Sequence, residues 1–246
     1  MSQLAGKVAL VTGGSRGIGA AIALRLARDG ADVALTYVAA KDRADQVVER
    51  IEATGRKAVA LRADMADAEE VAALPSRAVA ELGGLDVLVN NAGTFSYGPI
   101  QDVPLAEVDR MIAIHVRGTY LATQAALPHL GRGGRVISIG SCWGVRVPVP
   151  NVALYSMTKS ALIGFTKGLA HDLGPLGITV NTVDPGPTAT EMNGRALAGE
   201  PGEDVRTATG TYGAVEDIAS AVAFLAGPEA RWITGTALAV DGGYTA

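Results

Sequence analysis

Val8-Ala9-Leu10-Val11-Thr12-Gly13-Gly14-Ser15-Arg16-Gly17-Ile18-Gly19-Ala20 is the stretch on which the reading of this chain turns. Val8 to Val11 is a short apolar run suited to a buried strand, the glycine cluster is a tight turn, and Ala20 to Arg28 spaces its apolar residues as a helix does. Strand, glycine turn and helix in that order bring backbone N–H groups and the positive end of a helix to where a pyrophosphate can meet them. Glycines permit the close approach. A glycine-rich turn with no ligand reads the same in isolation, so the decision falls to the surrounding pattern.

The alternation runs on from that stretch. Val33 to Val38 reads as a strand, Ala44 to Thr54 as an amphipathic helix stopped by Gly55, Ala58 to Leu61 as a strand and Glu69 to Glu81 as a helix. Val87 to Val89 is a strand, Leu105 to Leu130 one long helix, Val136 to Ile139 a strand, Ala153 to Leu173 a helix and Ile178 to Val183 a strand. Glu216 to Leu225 reads as the last helix and Ala237 to Val240 as the last strand. Apolar strands alternating with helices imply right-handed crossovers and a buried parallel sheet. The expected class is therefore α/β, a Rossmann-like three-layer sandwich with a doubly wound parallel sheet. No repeat, low-complexity tract or linker divides residues 1–246, so a single dinucleotide-binding catalytic domain is expected. Glu191 to Gly213 is the one long stretch without clear periodicity, and a substrate loop is expected at about 191–213.

Composition excludes several other classes. The chain is 48% hydrophobic but only 4% aromatic, with 31 glycines, which favours close helix-to-sheet packing over aromatic stacking. A formal net charge of -4 gives no general attraction to nucleic acid or anionic lipid. The single cysteine, Cys142, has no partner for an internal disulfide, and no Cys-rich metal site can form; none is expected. The N-terminal residues lack a basic segment followed by an apolar stretch and a cleavage site, and no run approaches a membrane span. Together these features place the protein in the cytoplasm.

The glycine spacing Gly13, Gly17, Gly19 is wider between its first pair than the common dinucleotide fingerprint. Taken with Asn90-Asn91-Ala92-Gly93 and Tyr155-Ser156-Met157-Thr158-Lys159, it resembles the classical short-chain dehydrogenase/reductase family over essentially the whole chain. Asp184-Pro185-Gly186, Glu216-Asp217-Ile218 and Val240-Asp241-Gly242-Gly243 make it similar to the branch that includes 3-oxoacyl-carrier-protein reductases. The resemblance implies that Gly13, Ser15, Arg16, Gly17, Ile18 and Gly19 hold the pyrophosphate side of a dinucleotide. It implies that Asp64 and Met65 border the adenine and that Asn91, Ala92 and Gly93 line the adenosine side. Within Pro185-Gly186-Pro187-Thr188-Ala189-Thr190 it implies that the Thr188 backbone and the Thr190 hydroxyl fix the nicotinamide carboxamide and the phosphates.

Charge selects the cofactor. NAD users of this fold place an acid at the end of the second strand, against the ribose 2′-hydroxyl. Here the position is Tyr37. A 2′-phosphate is not repelled, and Arg16, with Lys41 as a helper, can pair with it, so NADP(H) is expected.

Tyr155 and Lys159 are four apart on a helix, so both project from one face and can converge on one substrate oxygen. A free phenol has a pKa of about 10, and a neighbouring ammonium and the oxidised nicotinamide ring both favour its ionisation, so Tyr155 is expected as the general acid/base and Lys159 as the group that lowers its pKa and holds the ribose. Ser141, at the end of the strand before this helix, resembles the family serine that hydrogen-bonds the substrate oxygen; Ser138 lies inside the strand. His115 stands where the family pattern has an asparagine of the proton relay. Either the helix is kinked there and a main-chain carbonyl holds the relay water, or the imidazole carries protons itself.

The expected reaction is NADPH-dependent reduction of a ketone, 3-oxoacyl or related, to a secondary alcohol. Alcohol oxidation by the same groups and a non-catalytic dinucleotide sensor are the alternatives. Phe95, Trp143, Met192 and Leu197 are candidates for apolar substrate contacts. The resemblance also implies a homotetramer, with the long helices carrying His115 and Tyr155 packed between subunits and the tail Gly242-Gly243-Tyr244 near another interface.

Overall fold

The computed structural model describes residues 3–192 and 207–246. Seven strands form one all-parallel sheet: β1 (Val8–Val11), β2 (Asp32–Tyr37), β3 (Ala58–Arg62), β4 (Val87–Asn90), β5 (Arg135–Ile139), β6 (Thr179–Pro185) and β7 (Ala237–Val240). Their spatial order is β3-β2-β1-β4-β5-β6-β7. The order reverses between β1 and β4, and beside such a switch point a crevice opens at the carboxyl ends of the strands. The helices are α1 (Gly17–Arg28), α2 (Lys41–Glu52), α3 (Ala68–Leu82), α4 (Leu105–Ile112), α5 (Thr119–Ala126), α6 (Ala153–Leu173) and α7 (Val215–Ala226).

Period-two alternation along the strands builds two cores. Ala9 and Val11 of β1 and Val87 and Val89 of β4 pack with Ile22 and Leu26 of α1, Val47 and Ile51 of α2 and Ile218 and Val222 of α7. Leu10 and Leu88 point the other way, to Val71 and Leu74 of α3, Ala122 of α5 and Leu173 of α6. The strands are buried on both faces, which is why they read as unbroken apolar runs.

The three-layer architecture agrees with expectation, and every expected strand is present, with ends shifted by at most two residues. The long helix does not persist. Residues between α4 and α5 form a π-helical turn, Ala113–Gly118, and α5 ends at Ala126. Close approach explains why the chain is held there. A Cβ on Gly118 would lie 2.6 Å from the Met65 carbonyl oxygen, so the turn is packed hard against the segment after β3. Of the expected substrate loop, residues 193–206, including Leu197, lie outside the described residues.

Candidate active site

At the nucleotide end the backbone is the building material. Gly13 has φ of +65°, and a Cβ there would lie 2.9 Å from Ala92 Cα. A Cβ on Gly19 would overlap the Gly13 carbonyl oxygen and the Asn91 amide. Only glycine fits both places. The Asn91 side chain donates to the carbonyls of Thr12 at 2.9 Å and Gly13 at 3.0 Å, and the Thr12 hydroxyl accepts the N–H groups of Asn91 and Ala92. Asn91 is thus a brace that holds the turn against the end of β4, not merely a lining residue. Thr12, which sequence reasoning passed over, is its partner.

Arg16 caps α1 without a side-chain hydrogen bond, so the first amides of the helix, at Gly17, Ile18 and Gly19, have neither an intrahelical partner nor a side-chain cap. Thr190 faces them: its methyl is 3.9 Å from where a Gly17 Cβ would be. Thr188 is buried, with its hydroxyl on the Gly186 carbonyl at 2.9 Å and its backbone bridged to Gly213, so the Pro185-Gly186 segment is tied down at both ends. Ser15 and Ile18 are half-buried, Ile18 against the first core. Asp64 accepts the Ala66 N–H at 2.9 Å and faces Arg110 at 3.5 Å. Met65 turns its side chain into the second core, so only its backbone is left to border a ligand.

Tyr37 ends β2, as expected. Of the nearby cations, Lys41 and Arg43 are held differently. Lys41 is turned to Asp45 at 2.6 Å, whereas Arg43 contacts both oxygens of Glu191 at 2.6 and 2.7 Å, and Arg16 reaches the same carboxylate at 3.3 Å. The two guanidiniums, Arg43 foremost, hold the Glu191 carboxyl below the usual range. A first-turn position of α2 and a residue beyond β6 are 148 apart in sequence, and no local pattern couples them.

At the other end the site is made of side chains, Ser141 and Lys159 buried and Tyr155 half-buried. Ser141 caps the 3-10 turn Cys142–Gly144 and accepts the Trp143 N–H at 3.2 Å, and its side chain faces the Tyr155 phenol. Lys159 Nζ donates to the Ile139 carbonyl at 2.8 Å and lies 5.7 Å from the centre of the Tyr155 ring. Ser141, Tyr155 and Lys159 are brought together as expected; Ser138 is buried inside β5 with no partner for its hydroxyl.

Burial pushes the Tyr155 phenol up to about 12, with Ser141 opposing the rise and Cys142 and Asp184 adding to it. Burial also pushes Lys159 down to about 8. The Lys159 ammonium is directed at the Ile139 carbonyl.

His115 is buried with both ring nitrogens engaged. It is 1% exposed, its Nε2 accepts the Thr94 N–H at 2.9 Å, and its Nδ1 lies 2.8 Å from Thr158 Oγ1. Since Nε2 accepts, the ring proton is on Nδ1 and is donated to Thr158, whose hydroxyl passes its own to the Tyr155 carbonyl. Desolvation, with the nearby Lys159 charge, lowers the imidazole to about 3. With both nitrogens engaged, the ring is a strut between the segment after β4 and α6. Gly93 gives it room, since a Cβ there would come within 3.0 Å of Nε2.

Aromatic rings wall the Tyr155 end. Phe95 meets the Tyr155 ring edge-on with centroids 5.1 Å apart, and Trp143 is perpendicular at 6.2 Å. The Trp143 indole donates to the Tyr244 hydroxyl at 3.0 Å, and Arg146 donates to the Tyr244 carbonyl at 2.8 Å. Tyr244, expected near a subunit interface, is 3% exposed and locks this wall within its own chain. Met192 is more than half exposed. Among the described residues no group of three or more His, Cys, Asp and Glu could hold a metal, and no helix is long and apolar enough to cross a membrane.

Comparison with known proteins gives concordant findings. The profile of the family described as Enoyl-(Acyl carrier protein) reductase matches residues 13–245. An uncharacterised oxidoreductase of Methylorubrum extorquens is 47% identical, with 99% of each chain covered. Elsinochrome reductase 1 of Elsinoe fawcettii is 41% identical over 98% of this chain and 95% of its own. A solved short-chain dehydrogenase from Burkholderia cenocepacia, in complex with NADP, superimposes with a TM-score of 0.96 at 53% identity, covering 99% of this chain and 100% of that one.

Proposed function

The chain belongs to the short-chain dehydrogenase/reductase family, and from that premise we propose that it is an NADPH-dependent ketoreductase in which Tyr155 gives the proton. The observation that carries this reading is the gathering of Ser141 and Lys159 beside Tyr155, with Lys159 Nζ 5.7 Å from the ring centre, and burial favours the protonated phenol. A phenol held in that form is a donor in waiting, as reduction requires.

NADP(H) fits the residues present. The glycine turn admits no Cβ at Gly13 or Gly19, and the α1 amides at Gly17, Ile18 and Gly19 suit a pyrophosphate. Arg16 and Arg43, already gathered on one carboxylate, suit a 2′-phosphate beside Tyr37. Asn91, Ala92, Gly93, Asp64 and the Met65 backbone are assigned to the adenosine side, Thr188 and Thr190 to the nicotinamide and phosphates. The cofactor supplies a hydride to the carbonyl carbon. The chain does the rest: Ser141 steadies the charge that develops on oxygen, Tyr155 donates its proton to that oxygen, and Lys159 lies beside the phenolate left behind. With the imidazole of His115 committed, the main chain of the π-helical turn is the relay alternative that stands.

The substrate is assigned as a moderately apolar ketone, on the strength of Phe95 and Trp143 at the Tyr155 ring. A homotetramer is assigned too, supported by the exposed Leu105, Tyr120 and Met157 on α4, α5 and α6, and is checked by light scattering of the eluted protein. The lone buried Cys142 suits a reducing cytoplasm.

The test is oxidation of NADPH and of NADH with a panel of β-ketoesters, diketones and an enoyl thioester, comparing wild type with Tyr155→Phe. Ketone turnover with NADPH that Tyr155→Phe abolishes is the expected result. Tight NADPH binding with no turnover across the panel would move the chain to the binding-only reading.

A further inference from the structure

The tail of the chain reaches back to the site, and the mechanism above gives it no part. Beyond β7, Asp241 ties a tight turn: its carboxyl accepts the Gly243 and Thr245 N–H groups, both at 2.9 Å, and the Thr245 hydroxyl at 2.6 Å. That turn is wedged between two segments of the site. A Cβ on Gly186 would lie 2.6 Å from Asp241 Cα, and the Thr209 N–H, in the described end of the expected substrate loop, donates to the Gly242 carbonyl at 3.1 Å. So anchored, the turn points Tyr244 inward, where its phenol oxygen accepts the Trp143 indole N–H at 3.0 Å and its carbonyl accepts Arg146 at 2.8 Å. Trp143 is thereby held at both ends. Its backbone N–H is on the Ser141 hydroxyl at 3.2 Å, and its 3-10 turn has no slack against α6, since a Cβ on Gly144 would come within 3.2 Å of the Lys159 backbone. The half-buried indole stands perpendicular to the Tyr155 ring with centroids 6.2 Å apart, and 6.0 Å from the Phe95 ring. A tryptophan side chain has several staggered wells open to it, and the indole N–H is its one directional tie. Tyr244 takes that tie.

We propose that Trp143 is the specificity wall beside Tyr155 and that Tyr244 is its positioning residue, so that the tail sets how large a substituent a ketone can carry on that side and which face of an unsymmetrical ketone is reduced. This deepens the ketoreductase reading and rests on it. A ketone whose oxygen is held by Ser141 and Tyr155 has two substituents, and one of them lies towards the indole. A fixed wall there admits a small group and sends a large one to the other side. Exchanging the two substituents presents the opposite face of the carbonyl and gives the mirror-image alcohol. The bonds made and broken are the same in either orientation, so the wall acts on the choice of substrate and product and not on the transfer itself. Apolar walls of this kind discriminate by about 10–200-fold for a group as small as a methylene, provided that the wall does not yield. The bond from Tyr244, 101 residues further along the chain, is what keeps it from yielding.

Three variants separate the wall from its support. Trp143→Ala removes the wall, Tyr244→Phe keeps the tail ring and removes the acceptor, and Trp143→Phe removes the donor from the other side. The probes are two β-ketoesters, one with a methyl and one with a phenyl group on the ketone carbon. Trp143→Ala is expected to raise the kcat/KM ratio of phenyl over methyl ester by at least about tenfold, mainly through KM, and to erode the enantiomeric excess of the alcohol. Tyr244→Phe should move both readouts the same way, the ratio by about threefold, as the loss of one hydrogen bond allows. Adding Tyr244→Phe to Trp143→Phe should change nothing further, and NADPH affinity should hold throughout. Equal losses on both esters with the enantiomeric excess unchanged, or effects that add in the double variant, would reduce Tyr244 to a structural role and overturn the proposal. A second measurement needs no turnover. Of the two tryptophans, Trp232 is 93% exposed. In nitrogen-labelled protein the Trp143 indole proton is expected to exchange with water more slowly than that of Trp232, and Tyr244→Phe should narrow the difference. Equal exchange of the two indoles in the wild type overturns the proposal whatever the enzyme reduces. A protected indole in a protein that reduces no ketone overturns the ketoreductase reading instead, and the specificity role with it.

Discussion

The two ends of the candidate site are held by opposite means. The nucleotide end is backbone: a glycine turn, a helix amino terminus and an amide brace, with its charges on exposed arginines. The Tyr155 end is side chains, Lys159 and Asp184 buried and Tyr155 half-buried with its phenol pushed up to about 12. Exposed charges are screened by salt and can be exchanged at small cost; buried ones are set by desolvation and cannot. Substitutions at the two ends should therefore differ in size, in pH dependence and in salt dependence.

The largest effect should come from the buried end. Tyr155→Phe removes the proposed proton donor but keeps the ring against Phe95 and Trp143, so turnover should fall by about 10²–10⁴-fold with NADPH affinity preserved. Loss of affinity in step with turnover would break the division between the two ends. Gly19→Ala tests the backbone end. Its Cβ would overlap the Gly13 carbonyl, and overpacking of this kind costs about 1–3 kcal/mol, read as a lower Tm together with weakened NADPH binding.

His115 gives the comparison a pH signature. Its pKa falls from 6.5 to about 3 on folding, so below about pH 6.5 the unfolded chain takes a proton that the folded chain does not. Its contribution to stability is whole at pH 7 and is lost as pH falls through 6.5 towards 3, by an amount on the order of a few kcal/mol. Asp184 works in the opposite sense between 3.8 and about 6, because there the folded chain holds the proton. The difference between wild type and His115→Asn isolates the histidine: thermal melts should show the acid loss flattened in the variant. A loss of the same depth in both proteins would mean that the imidazole is protonated in the fold.

What the sequence made legible follows the same division. Continuous apolar strands and the glycine turn are local signals, so the sheet, its class and the cofactor end could be read from Val8 to Gly19 outward. The Tyr155–Lys159 pair was legible because a helix puts i and i+4 on one face. The π-helical turn at 113–118 left no apolar period of its own, and only the resemblance at His115 offered a kink there, as one of two alternatives. The pairing of Arg43 with Glu191, the lock of Tyr244 on Trp143 and the burial of Asp184 were not legible, since each joins distant segments. Lys41 was named for its charge, but on the surface of α2 a carboxylate four residues on captured it.

At the exposed end the effects should be small and selective. Arg43→Ala removes one of two cations for a 2′-phosphate and should weaken NADPH by about tenfold while leaving NADH unchanged, with the difference narrowing in high salt.

Glu191→Gln should produce the smallest effect, and the one of opposite sign. In this structure the Glu191 carboxylate takes up Arg43 and Arg16, the cations assigned to the phosphate, so NADPH has to compete with it. The contact is solvent-exposed, and exposed ion pairs are weak, so the competition is slight. Removing the charge while keeping the side-chain length should raise NADPH affinity a few-fold, at most about fivefold, and leave NADH affinity where it was. The gain should vanish in an Arg43→Ala background, since a carboxylate with no guanidinium to occupy has nothing to contest. Titration of the four proteins with NADPH, followed by nucleotide fluorescence at low and high salt, measures the coupling. A gain that persists without Arg43 would place the action of Glu191 elsewhere, whereas a weaker affinity in Glu191→Gln would show that the carboxylate clasps the arginines over the bound cofactor instead of competing with it.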